Sequence, residues 1–181
     1  HRGLVCMYDV VCFDEISGVS FAQKDGVNIM KVYMESGEFS RGKESIRADG
    51  SIMLVGNFDV DAEAQQRIGH LLGPLTPEMR DATAFMDRIH AYLPGWDIPK
   101  VSKELLTDHF GLVSDFVSEC WSQLRNQSRI NILQNRVIFG GALSGRDVNA
   151  VNKTVSGLLK LLYPGNEVEI LEADIEWAVR I

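Results

Sequence analysis

Acidic residues are missing from a whole stretch of this chain. Between Cys120 and Arg146 there is no Asp or Glu, while Arg125, Arg129, Arg136 and Arg146 all fall there. Five acids (Glu167, Glu169, Glu172, Asp174 and Glu176) crowd near the end instead, and the net charge of −7 argues against a surface coated for nonspecific nucleic-acid binding. Local basic patches stay open, a second being Arg41, Lys43 and Arg47. Cysteine is scarce. Cys6, Cys12 and Cys120 are too few, and odd in number, for a disulfide framework, and read as buried reduced thiols of a cytoplasmic protein. No apolar run approaches the ~20 residues of a membrane span, and no basic segment followed by an apolar run marks a signal peptide. An initiating methionine is also missing: His1-Arg2-Gly3 runs straight into Leu4-Val5-Cys6-Met7, and the expectation is a piece of something longer. The rest is ordinary for a globular protein, with 181 residues, 45% hydrophobic and 24% charged, enough for one domain of good size or two small ones.

Periodicity divides the chain in two. Val10-Val11-Cys12-Phe13 and Ile52-Met53-Leu54-Val55 read as fully buried, parallel-type strands. Residues 25–36 carry Val27, Met30 and Met34 at helical spacing before a stop at Gly37. The polar stretch 38–51 reads as a hairpin, with Asp49-Gly50 as its tight-turn signal. Leu93-Pro94-Gly95-Trp96 and Pro99 mark a break. Beyond it, Val113, Phe116, Val117, Cys120, Trp121 and Leu124 form one helical apolar stripe, and Val148, Val151, Val155, Leu158, Leu159 and Leu162 another. Ser144 and Asp147 resemble a capping box at the start of the second. The expected organisation is an α/β piece with a parallel sheet over 1–100, followed by an all-helical piece over 101–181.

Chemistry concentrates where the strands end. Asp14 and Glu15 follow the first apolar run, and ligands of α/β sheets sit outside the carboxyl ends of strands. Adjacent side chains on an extended chain point apart, so one acid can hold hydrated magnesium while the other orients an attacking water. This is the pattern of a Walker B element; the same six residues also describe any strand ending in solvated acids. Asn57 ends the second apolar run, 42 residues after Glu15, and on neighbouring strands it would sense a γ-phosphate; alone it is a turn former. Arg88 has the donor fork that stabilises a transferring phosphoryl group, and also suits a structural ion pair. Arg146 lies in the first turn of a capped helix, a place suited to anions. The run Gly37-Glu38-Phe39-Ser40-Arg41-Gly42-Lys43 imitates a phosphate-binding loop. Glu44 stands where Ser or Thr should ligate magnesium, however, and the run follows the acidic pair rather than preceding it. No other match exists in these residues. The histidines His1, His70, His90 and His109 are scattered, without zinc-site spacing, and Met30, Met34 and Met53 read as core.

With these elements in this order, the chain resembles the AAA+ ATPase superfamily, entered just before Walker B. FDEISG (13–18), KVYMESGEFSRGKESIRADGSIMLVGN (31–57), FMDRIH (85–90), LPGW (93–96) and GGALSGRD (140–147) resemble more narrowly the ATPase region of the BrxL family, Lon-related proteins of bacterial BREX phage-defence systems. The resemblance implies a partial P-loop NTPase core followed by a helical lid, ATP and Mg2+ as cofactors, and a homo-oligomeric ring. It implies Asp14 as the magnesium-side acid, Glu15 as the catalytic base, Asn57 as sensor 1 and Arg88 as an arginine finger reaching a neighbour's nucleotide. It also implies Arg146 as sensor 2 on the ATP phosphates, and a pore hairpin whose Arg41, Lys43 and Arg47 touch DNA. Other BREX components would be partners. The Lon label implies a serine–lysine dyad, and nothing here resembles its surroundings. Two other readings stay open: an unfoldase ATPase feeding a protease, and, with the phosphate loop absent from these residues, an inactive fragment serving as an assembly or interaction domain.

Overall fold

The computed structural model describes residues 3–18, 25–57, 61, 64, 67, 71–165 and 167–181. They cluster into two compact units, His1–Ile89 and His90–Ile181. The first mixes α and β. Its strand β1 (Val10–Phe13) pairs in parallel with β4 (Ser51–Leu54), Val10 opposite Ser51 and Phe13 opposite Leu54. Helix α1 (Asp25–Ser36) and the antiparallel hairpin of β2 (Glu38–Arg41) and β3 (Glu44–Arg47) lie between them in sequence. Short helices α2 (Pro77–Arg80) and α3 (Thr83–Met86) follow.

Local chemistry sets these boundaries. Gly37, at φ 71°, ends α1 in the left-handed conformation that glycine adopts without a Cβ clash, and its N–H donates to the Tyr33 carbonyl. Thr76 caps α2 through its hydroxyl, with Pro77 at the first helical position where no N–H is needed. The unit's core is Ile16, Val27, Leu75, Met79 and Phe85, the last two with no exposed surface. It gathers between α1, the turn after β1 and the two short helices, with Leu54 of β4 packed against it.

Two sequence expectations fail here. Neither strand is fully buried: Val11 is the only buried residue of β1, while Val10, Phe13 and Met53 are exposed. Among the described residues β1 and β4 form a two-stranded sheet, which covers too little of either strand's faces. Nor does Asp49-Gly50 make the hairpin turn. That turn is Gly42-Lys43, with Gly42 at φ 67° in the first central position, as type II′ turns require. Gly50 serves a close approach instead: a Cβ there would lie 2.6 Å from the Val5 carbonyl oxygen and 2.8 Å from that of Tyr8.

The second unit is helical: α4 (Ser114–Arg125), α5 (Ile130–Leu133), α6 (Gly145–Leu162) and α7 (Glu172–Arg180). The capping box forms as expected, Asp147 N–H donating to Ser144 Oγ at 3.3 Å and Ser144 N–H to Asp147 Oδ2 at 2.8 Å. Hydrogen bonds to the carboxylate from the Ser144 side chain first, and from the Ser144 backbone N–H second, hold the Asp147 carboxyl below its usual range. Val155 and Leu159 of α6 meet Leu133, Ile170, Ile175 and Ala178 in the core. The buried Arg129 donates through Nη2 to the carbonyls of Tyr163, Pro164 and Gly165, at and just beyond the C-cap of α6, satisfying main-chain acceptors of the turn that leaves the helix. The stripe on α4 behaves differently from expectation. Val113, Phe116 and Trp121 are exposed and only Leu124 is buried, because the described residues supply no element to cover that face. No helix among the described residues is long and apolar enough to cross a membrane.

Candidate functional site

The parallel pairing carries the candidate residues to one end of a small sheet. Beyond the last strand pair, Val55 N–H donates to the Phe13 carbonyl at 2.9 Å, and Ile16 N–H donates to the Val55 carbonyl at 3.0 Å. In a regular parallel ladder the second bond would come from Glu15. The slip to Ile16 inserts one extra residue, a bulge of the kind that re-aims side chains at functional sites. Glu15 takes up the slack at φ 50°, a left-handed conformation rare outside glycine, and its orphaned N–H donates to Asp14 Oδ1 at 2.8 Å. Its carbonyl accepts from Gly18 N–H at 2.9 Å. Asp14 and Glu15 are therefore both exposed and clamped on either side by bonds to Val55. The expectation that strand alternation separates them holds only to Phe13; beyond it, the turn at Glu15 sets their directions.

Asn57 emerges, exposed, two residues past Val55 at the same end of the sheet. Gly56 between them is a residue sequence reasoning did not single out. A Cβ on it would stand 2.8 Å from Pro74 Cβ and 3.0 Å from Ile16 Cγ2, so its bareness lets the Asn57 end close down on the turn that follows Glu15.

Arg88 follows α3 and is committed elsewhere in the same unit. Its Nη2 lies 2.8 Å from Glu35 Oε2 on α1, its Nη1 donates to the Ala84 carbonyl, and its side chain is 15% exposed. Glu35 was also missed from sequence. An acid in the last turn of a helix opposes the helix dipole, and that is the one local hint that it answers a cation. Arg146 belongs to the other unit, exposed in the first turn of α6. On the hairpin, Arg47 stands opposite Glu38 and Arg41 opposite Glu44, leaving Lys43 in the turn. Lys43 and Arg47 are exposed, and the Arg41 side chain lies outside the described residues.

The donors at the strand ends suit hydrated magnesium. That ion takes oxygen ligands, keeps several waters, and needs only one or two carboxylates beside the phosphates. Among the described residues no three His, Cys, Asp or Glu side chains gather into a metal cage, so here such an ion would be held by Asp14, water and nucleotide oxygens.

Carboxylates and an amide at the carboxyl end of parallel strands are what a nucleotide-hydrolysing domain places beside its substrate. The chain matches over residues 1–181 the family described as "Lon-like protease BrxL-like, ATPase domain", and it belongs to that family. It is similar to the "Lon-like protease BrxL" of Escherichia coli O9:H4 (strain HS), with 48% identity over 162 residues covering 90% of this chain and 23% of that protein. It is similar also to the "Lon-like protease BrxL" of Bacillus cereus (strain H3081.97), with 43% identity over 178 residues, 98% of this chain and 26% of that one. The chain thus spans about a quarter of the length of the curated relatives it matches.

Proposed function

We propose that the chain is the ATP-hydrolysing AAA+ module of a DNA-acting ring ATPase in bacterial BREX antiphage defence, working in the cytoplasm with other components of that system. The observation that carries the catalytic part is the bulge that exposes Asp14 and Glu15 at the end of a parallel strand pair, the same end at which Asn57 emerges. Bound Mg-ATP supplies the γ-phosphoryl group and part of the charge neutralisation its transfer needs. Asp14 holds the metal's water shell, with Oδ1 fixed by the Glu15 N–H. Glu15 accepts a proton from, and orients, the attacking water, and Asn57 hydrogen-bonds that water or a phosphate oxygen. Arg88 reaches a neighbouring subunit's phosphate, a contribution of about 10³–10⁵ in rate for residues of this kind. Arg146, at the capped start of α6, contacts phosphate from the helical lid. Arg41, Lys43 and Arg47 on the hairpin meet DNA phosphates in the ring's pore.

The test is Glu15→Gln in the full-length protein. ATP binding is retained and turnover falls by about 10²–10⁴-fold; unchanged turnover overturns the assignment. For the DNA part, neutralising Arg41, Lys43 and Arg47 together flattens the salt dependence of DNA binding by roughly 0.9 in log–log slope per lost phosphate contact, and an unaltered slope rules out the pore reading. The relatives' name favours one rival, an unfoldase ATPase serving a protease. It uses the same four kinds of catalytic residue but wants an aromatic pore pair, for which the hairpin offers only Phe39.

A further inference from the structure

Arg88 is nearly sealed inside the first unit. Its side chain is 15% exposed, and its Nε is buried with no hydrogen-bond partner among the described residues. Among the described residues its ionic partner is Glu35, which is itself 56% exposed and lines a groove of about 440 Å³ together with Lys31, Ser36, Ala84 and Arg88. Glu35 sits in the last turn of α1, and that turn is fastened to the hairpin from several directions. Ser36 Oγ donates to the Val32 carbonyl at 2.9 Å and accepts from Glu38 N–H at 3.1 Å. Gly37 receives the Ala48 N–H on its carbonyl at 2.9 Å. The Tyr33 hydroxyl donates to the Gly50 carbonyl, and its ring meets Phe39 edge-on with centroids 6.0 Å apart. The first strand of the hairpin, the residue after its second strand and the residue before β4 are therefore all tied to the turn that carries Glu35.

We infer that Glu35 is a positioning residue that couples the Arg88 guanidinium to the β2–β3 hairpin through the last turn of α1. The inference rests on the proposed roles of Arg88 at a neighbour's phosphate and of the hairpin on DNA. A guanidinium drawn toward a neighbouring phosphate leaves the Glu35 carboxylate. Lys31, one helical turn back and lining the same groove, is the cation placed to receive that carboxylate at i, i+4 spacing. The pair thus has two arrangements, and the turn that shifts between them is the root of the hairpin. Conversely, DNA displacing the hairpin moves Glu35 and biases where the guanidinium rests. A contact network of this kind couples two sites because both bias one element with two states.

The experiment uses full-length protein and measures kcat and KM for ATP with and without a short DNA duplex, for wild type, Glu35→Gln, Glu35→Asp and Arg88→Ala. Wild type has different kcat values with and without DNA. Glu35→Gln brings their ratio to one and changes kcat by about 2–30-fold, the range of such couplings, with KM within twofold of wild type; Glu35→Asp restores part of the ratio. A wild-type ratio of one overturns the inference. So does a Glu35→Gln protein that keeps the wild-type ratio, or one that melts lower and loses kcat equally in both conditions, which marks a purely structural ion pair. Undiminished turnover in Arg88→Ala removes the reading of Arg88 itself. Loss of turnover there, beside a normal DNA ratio in Glu35→Gln, removes the coupling alone.

Discussion

Replacing Gly56 by alanine adds one methyl group at the point where the candidate site is most tightly closed. Its Cβ would stand 2.8 Å from Pro74 Cβ and 3.0 Å from Ile16 Cγ2, whereas carbon atoms rest at about 3.5–4.0 Å. Relief needs a displacement of roughly 0.5–1 Å by that measure. Neither neighbour yields cheaply. Pro74 is a ring on the main chain, and Ile16, 2% exposed, is locked in the core with Val27, Leu75, Met79 and Phe85. Forcing a methyl group into such packing costs about 1–3 kcal/mol. With a urea m-value of about 2 kcal/mol/M, the unfolding midpoint falls by about 0.5–1.5 M. The displacement also reaches the chemistry, because the bond from Ile16 N–H to the Val55 carbonyl closes the bulge that holds Asp14 and Glu15. A misplacement of ~1 Å costs about 10²-fold in rate. Urea denaturation of this chain and ATP turnover by the full-length protein read the two effects separately. An unchanged midpoint refutes the packing account. A lowered midpoint with normal turnover refutes the claim that Ile16 transmits the shift to the two acids.

Two further predictions concern the helical unit. Arg129→Met strips the buried donors from the carbonyls of Tyr163, Pro164 and Gly165 and lowers unfolding free energy by about 2–3 kcal/mol. A denaturant midpoint equal to wild type would show those carbonyls to be satisfied by other means, and Arg129→Lys should not rescue, since it lacks the planar fork. His90 accepts from Lys153 Nζ across 3.1 Å at Nε2, and burial first, then the lysine charge, hold its pKa below the usual 6.5. The unfolded chain therefore binds more protons as pH falls below about 6.5. The stability contributed by neutral His90 is complete above that value and is lost as pH drops toward the folded pKa. Thermal melts between about pH 7.5 and 5.5 should show a steeper acid loss in wild type than in His90→Gln, and parallel curves would refute it.

Much of the candidate site was legible because its signals are local. A capping box closes within three residues, so Ser144 and Asp147 announced the start of α6 from sequence alone. Glycine in the left-handed region stops a helix wherever it stands, so Gly37 marked the end of α1. An apolar run followed by Asp14-Glu15, and another followed by Gly56-Asn57, gave two strand ends with their polar groups in order. Local signals also misled. Asp49-Gly50 has the composition of a tight turn, yet Gly42-Lys43 turns and Gly50 instead slides past the backbone of Val5 and Tyr8. The apolar stripe on α4 has helical spacing, but periodicity says which residues share a face and not whether anything covers it.

The sequence by itself determined the chemical inventory of this protein and the helix ends, because those depend on side chains a few residues apart. Only the tertiary structure decided that β1 and β4 pair, that the ladder slips by one residue so that both Asp14 and Glu15 face outward, and that Arg88 is answered by Glu35 from more than fifty residues away. Each of those outcomes turns on a partner distant in the chain. Main-chain hydrogen bonds carry no residue identity, and a guanidinium accepts any carboxylate that packing brings within reach. Register and partner choice were therefore settled by how the core around Ile16, Met79 and Phe85 closed.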